Sequence, residues 1–168
     1  METNEIAIQY QGAEKELLKL IVAVEGIEEG DFKALEEKIY PGLFQIGRRL
    51  MEGRMNKKKE SEPVPTKIEG KCGHVQKLVG YRTKKLLTLF GELELKRAYY
   101  QCQVIEGQKE EEATQKCSHG KAPADELWGI QGTRTSPGVQ QYISYLCSML
   151  TFDEAAEAYR RFLPGKMS

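Results

Sequence analysis

The stretch KKLLTLFGELELKRAYYQC (84–102) decides how the chain is read. Apolar and polar residues alternate on either side of Phe90-Gly91, and a period of two is the pattern of a half-buried strand. Gly91 supplies the positive φ that a tight hairpin turn requires. On the second arm Leu93, Leu95, Arg97 and Tyr99 share one side, and Glu92, Glu94, Lys96, Ala98 and Tyr100 the other. Before this hairpin, residues 75–81 form a further candidate strand, and residues 86–89 close the first arm. Beyond it, the polar and acidic run 103–116 leads to KCSHG (116–120) and reads as a loop.

Upstream of the strands the period is helical. Residues 1–11 are expected to fray. In residues 13–25, Leu17, Leu18, Ile21, Val22 and Val24 form one helical face, opposite Glu14, Lys15, Glu16, Lys19 and Glu25. Asp31 is a candidate N-cap for a second helix with Phe32, Leu35, Ile39, Leu43, Ile46 and Leu50 on its apolar stripe. Pro41 lies inside that stripe, so a kink or two shorter helices are expected there. Residues 53–67 hold Lys57, Lys58 and Lys59 and two prolines without apolar periodicity, which is linker composition.

Downstream, Trp128 is expected to anchor a Gly- and Pro-rich loop. Ser136-Pro137 spells a helix start, and Val139, Tyr142, Ile143, Leu146, Cys147 and Leu150 follow as the buried face. Thr151 with Glu154 spells a capping box for a last helix carrying Phe152, Ala155, Ala156, Tyr159 and Phe162. The fold class expected is α+β, with an N-terminal helical pair, a small antiparallel zinc-ribbon-like hairpin unit and a C-terminal helix-turn-helix-like pair. The divisions are residues 1–55 (helical), 56–67 (linker), 68–122 (ribbon with a candidate metal site) and 123–168 (loop and helical hairpin).

The 168 residues suit one medium or two small domains, and 25 basic residues balance 25 acidic ones. Net charge therefore points to no nucleic acid, and only local clustering can. Without a basic, then apolar, leader or a long apolar run, the chain is expected to be cytoplasmic and outside membranes. Reduced cysteines are then the rule, so clustered ones are metal ligands or core residues. Four ligands for a structural zinc ion could come from Cys72, Cys102 and Cys117 with either His74 or His119. Ordinary reduced cysteines are an equal alternative, and Cys147 on a helix face is core. No redox C-x-x-C, phosphate-binding glycine loop, H-E-x-x-H or serine elbow is present, and Glu110, Glu111 and Glu112 lie in a polar loop with no apolar wall to perturb them. From Ile68 to Ile105, seven basic residues face three acidic ones, with Tyr81, Tyr99 and Tyr100 interleaved. Phosphate positioning uses such a ribbon, and a solvated face has the same composition.

Residues 72–163 resemble the N-terminal part of transposases of the ISKra insertion-sequence family. The resemblance is carried, in order, by CGH (72–74), YRTKKLLTLFGELELKRAYYQC (81–102), CSHGKAPADELWGIQG (117–132), SPGVQQY (136–142) and LTFDEAAEAYRRFLP (150–164). It implies a region that engages the element's DNA ends, followed in such proteins by an RNase H-like catalytic domain. Two departures are visible. Gly70 stands where the family commonly has a further cysteine, which asks His74 to substitute. The sequence also ends at Ser168, where that catalytic domain is expected to begin, so the expected role is DNA binding without strand cleavage, by a truncated copy. Arg82, Lys84, Lys85, Lys96 and Arg97 are the expected contacts to double-stranded DNA. The alternatives are a self-associating protein-interaction module with a structural zinc ribbon, or half of a transposase split by a frameshift.

Overall fold

A computed structural model of the chain describes residues 3–56, 64–70, 73–102 and 119–164. The element order is α1 (Thr3–Glu25), α2 (Phe32–Met55), β1 (Lys67–Glu69), β2 (Val75–Thr88), β3 (Gly91–Cys102), β4 (Gly120–Lys121), α3 (Pro123–Leu127), α4 (Pro137–Met149) and α5 (Phe152–Phe162). The strands make one sheet in the order β1-β2-β3-β4, with β1–β2 and β3–β4 antiparallel, so the class is mixed α+β. The lysine triplet 57–59, the acidic run 103–116, Cys72 and Cys117 lie outside the described residues. Two compact units divide the chain, one from Met1–Lys57, Lys85–Leu95 and Thr133–Ser168, the other from Lys58–Lys84 and Lys96–Gly132. The hairpin contributes its turn end to the first and its open end to the second.

In the first unit α1 lies along α2, and glycines on α2 receive the side chains that meet it. A Cβ on Gly42 would come within 2.5 Å of Leu20, and one on Gly53 within 2.9 Å of the Tyr10 ring. The expectation that residues 1–11 fray is corrected here: α1 begins at Thr3. Its first turns have partners, since Gln9 Nε2 donates to the Gly53 carbonyl at 3.1 Å. Nor does Pro41 divide α2, which runs unbroken from Phe32 to Met55 behind its Asp31 cap. Proline removes one amide donor from the helix ladder. Around it, Leu20 seats on Gly42, and the Tyr40 hydroxyl donates to the Phe162 carbonyl at 2.6 Å.

The apolar faces read from the sequence pack only in part, with Val24, Leu35 and Ile46 half-buried. Ala13 is the buried residue of α1, whereas Leu17, Leu18, Ile21 and Val22 are exposed. On α2, Phe32, Ile39, Leu43 and Leu50 are likewise exposed. The reason is the glycine sockets, which let α2 meet α1 at Leu20 and Tyr10 instead.

The hairpin turn forms as its sequence predicts, with Gly91 at φ 96°. Thr88 Oγ1 accepts from the Phe90 amide at 3.1 Å and donates to the Gly91 carbonyl at 2.8 Å. Phe90 packs into the space left by the missing side chain of Gly47. Leu87 is bonded to the chain leading into α4, through Leu87 N to the Arg134 carbonyl and Ser136 N to the Leu87 carbonyl, both 2.8 Å. Ser136 and Thr151 cap α4 and α5, the latter with the full capping box to Glu154. Val139, Leu146, Ala155 and Tyr159 are buried together, with Leu87 and Leu89 against them. Phe152, placed on the last helix's apolar side by the sequence, is 82% exposed.

In the second unit β2 is one strand across residues 75–84 rather than a piece ending at Tyr81. Tyr100 is buried and its hydroxyl donates to the Pro65 carbonyl at 2.8 Å. Ile130, not Trp128, is the fully buried anchor of the loop after α3. Along β3 burial alternates on odd positions from Gly91 to Leu95 and on even positions at Tyr100 and Cys102, the change falling at residues 97–99.

Candidate nucleic-acid interface

Alternation along β2 gives its second-unit half two different faces. On the even side Gln76 is buried and Leu78 and Lys84 are half-buried, while Arg82 is exposed. Odd positions Val75, Lys77, Val79 and Tyr81 are exposed. Antiparallel pairing sets Lys67 of β1 directly opposite Lys77, and both are exposed. From β3, Lys96 Nζ lies 5.6 Å from the Tyr81 ring centroid. The open face thus gathers Lys67, Lys77, Lys96 and Tyr81. On the opposite side, which Arg82 shares with Lys84 by alternation, Arg82 stacks over Tyr99, with Cζ 3.6 Å from the ring centroid. A cation over an aromatic face keeps its charge while its side chain is held in place.

The other side of the same strands is closed by the segment that carries α3. Asp125 receives two cations: Lys84 Nζ at 3.2 Å and Arg97 Nε at 2.5 Å. Lys84 also donates to the Ile130 carbonyl at 2.6 Å, and Arg97 to the Arg82 carbonyl at 3.1 Å. Side-chain exposure of 11% for Lys84 and 13% for Arg97 leaves these two committed within the fold. A lysine inside a strand is tolerated here because its charge is paired and its protons are taken up. Lys85 belongs to the first unit, exposed between Glu92 at 3.5 Å and Glu94 at 3.9 Å. Of the five cations singled out in the sequence, Lys96 stands on the open face, Arg82 is exposed on the other side over Tyr99, Lys84 and Arg97 meet at Asp125, and Lys85 belongs to the first unit. Lys67 and Lys77 were missed as a pair, because only the β1–β2 register makes them neighbours. Asp125 carried no local signal of its role.

Across the described residues of the second unit, Lys67, Lys77, Arg82, Lys84, Lys96, Arg97 and Lys121 face only Glu69, Asp125 and Glu126. Burial, and secondarily Tyr81, push the Tyr100 phenol pKa up.

The candidate metal ligands lie at the open end of the same unit. Cys102 is buried, and its amide donates to the His119 carbonyl at 3.0 Å. Gln76 Nε2 reaches both Cys102 Sγ, at 3.5 Å, and the His119 carbonyl, at 3.4 Å. Gly70 N donates to the His74 carbonyl and Gly73 N to the Gly70 carbonyl, and Gly70 abuts the Gln76 amide. Gly70, Cys102 and the His119 carbonyl thus meet at Gln76, whose Oε1 is buried without a partner among the described residues. Among the described residues, no three His, Cys, Asp or Glu side chains are grouped to hold a metal ion. No helix among them is long and apolar enough to cross a membrane. The chain matches no protein-family model, no curated protein and no solved structure.

Proposed function

We propose that the chain binds duplex DNA through the open face of its second unit, as the DNA-end-binding region of an insertion-sequence transposase of the ISKra type. The observation that carries this reading is the direct opposition of Lys67 and Lys77, with Lys96 beside Tyr81 on the same face. Like charges directly opposite one another destabilise a sheet. A phosphate between them turns that repulsion into attraction, and phosphate contacts fix a protein on the duplex. Order of motifs, local positive charge and the hairpin at the centre of the resemblance all agree with it.

The ribbon is favoured over the α4–α5 pair as the DNA-contacting element. A helix-turn-helix reader brings the N-terminal residues of its second helix to the bases. Here the first turn of α5 carries Asp153 and Glu154, whose charges oppose the approach of phosphate. The pair serves as a support for the hairpin's turn end.

Zinc suits the open end of the ribbon, held by Cys72, Cys102 and Cys117 with His74 or His119. Thiolate and imidazole are the donors zinc prefers, and at that end Cys102 is paired through its amide with the His119 carbonyl. Protein purified without chelator should carry close to one equivalent of zinc. Less than about 0.3 equivalents counts against the site, since structural sites bind tightly near neutral pH.

Fluorescence anisotropy with labelled duplexes tests the DNA reading. At low salt the chain should bind the parent element's terminal repeats more tightly than random duplex, and Lys77→Glu should weaken both. Equal and undetectable binding to the two duplexes would sink the proposal.

A further inference from the structure

The sequence of α1 from Leu17 to Val24 is apolar at every position except Lys19. A helix that is apolar all round is normally buried all round. Here α2 covers the side that holds Ala13 and Leu20, and little else is enclosed. Positions 8, 11, 15, 18, 22 and 25 follow one another at steps of three and four and form the opposite ridge. All six are exposed, Ile8 by 77%, Leu18 by 56% and Val22 by 73%. Ile21, three positions after Leu18 and four before Glu25, widens this ridge and is 47% exposed.

The ridge is self-complementary in one direction only. Antiparallel to a second copy of itself, Leu18 meets Val22 of the second copy, and Val22 meets its Leu18. The same register sets Lys15 against Glu25 of the second copy, and twofold symmetry repeats the pair at the other end. Ile8 is then carried toward the connection after α1, where Phe32 is 71% exposed. A parallel arrangement would instead oppose lysine to lysine and glutamate to glutamate. We infer that the chain forms a twofold homodimer through this face of α1, packed antiparallel with Leu18 and Val22 at its centre and Lys15–Glu25 pairs at its ends. This is independent of the DNA reading, because α1 belongs to the first unit and the proposed DNA face to the second.

Sedimentation of the full chain over a concentration series tests the dimer. A monomer–dimer equilibrium is expected for the native sequence. Leu18→Glu together with Val22→Glu should raise the dissociation constant by at least about 30-fold. Both positions are exposed in the single chain, so far-UV circular dichroism and thermal midpoint of the monomer should be retained. Lys15→Glu should weaken the dimer by about tenfold, and adding Glu25→Lys should restore it. A native chain that remains monomeric throughout, or a dimer indifferent to Leu18→Glu and Val22→Glu, overturns the proposal. Failure of the double exchange to rescue Lys15→Glu overturns the antiparallel register.

Discussion

At the scale of single residues the charge on Asp125 organises the closed side of the second unit. Lys84 and Arg97 both end on it, with little exposure on any of the three side chains. Removing one partner from a buried ion pair leaves the other charge desolvated and unpaired, which costs about 3 kcal/mol or more. Asp125→Ala should therefore lower the free energy of unfolding by about 3 kcal/mol, measured by urea denaturation with an unchanged slope. A loss under about 1 kcal/mol would show that solvent already satisfies both cations. Tyr159 is the opposite case. It is fully buried and its hydroxyl has no partner among the described residues; the same burial pushes its phenol pKa up. Tyr159→Phe deletes an unsatisfied group at little change of shape, so it should be neutral or stabilising by up to about 1 kcal/mol. A clear loss of stability would mean that the hydroxyl is satisfied.

Between elements, the first unit is fitted together by knobs and sockets. Glycine inside a helix costs roughly 1 kcal/mol relative to alanine, and Gly47 repays that only because Phe90 occupies its place. Gly47→Ala should destabilise the protein in spite of the better helix former. With Phe90→Ala in the background the same change should become stabilising by roughly 1 kcal/mol, so a double-mutant cycle of thermal unfolding reads the contact directly. The capping box of α5 makes a pH-dependent contribution. Hydrogen bonds from Thr151, first its backbone amide and then its hydroxyl, lower the Glu154 pKa from 4.5. A carboxylate depressed on folding stabilises the native state above its unfolded pKa, and that contribution disappears as pH falls through the folded value. Unfolding followed from neutral to acid pH should show Glu154→Ala losing stability at neutral pH and converging on the parent below the ordinary carboxylate range. A constant difference at every pH would assign the effect to packing.

For the molecule as a whole, balanced totals of 25 basic and 25 acidic residues conceal an uneven distribution. The second unit carries the excess of cations, and the α5 start and the Lys85–Glu92–Glu94 group in the first unit do not add to it. A local patch predicts a shallow salt dependence. With Lys67, Lys77 and Lys96 as contacts, the slope of log affinity against log salt should be about −2.7 per chain. Titrations between low and physiological salt measure it, and a slope near zero would exclude phosphate contacts by these residues.

The sequence by itself determined the local features: the hairpin around Phe90-Gly91, the Asp31, Ser136 and Thr151 caps, and the change from helical to strand period. Each depends on side chains within a few positions of one another, so the signal and its cause lie in the same short segment. Tertiary structure alone decided the fate of the ribbon's cations and the direction of the helix faces. Lys84 and Arg97 read like Lys96, until a carboxylate 41 and 28 positions away takes them inside. Lys67 reads as part of a linker until strand register sets it against Lys77. Periodicity showed that α1 has an apolar ridge, but it could not tell which side α2 would take. The sockets at Gly42 and Gly53 drew Leu20 and Tyr10 inward and left Leu18 and Val22 open. Steric fit between segments distant in sequence has no local signature, and it is this fit that assigns one face of the chain to its core and another to a partner.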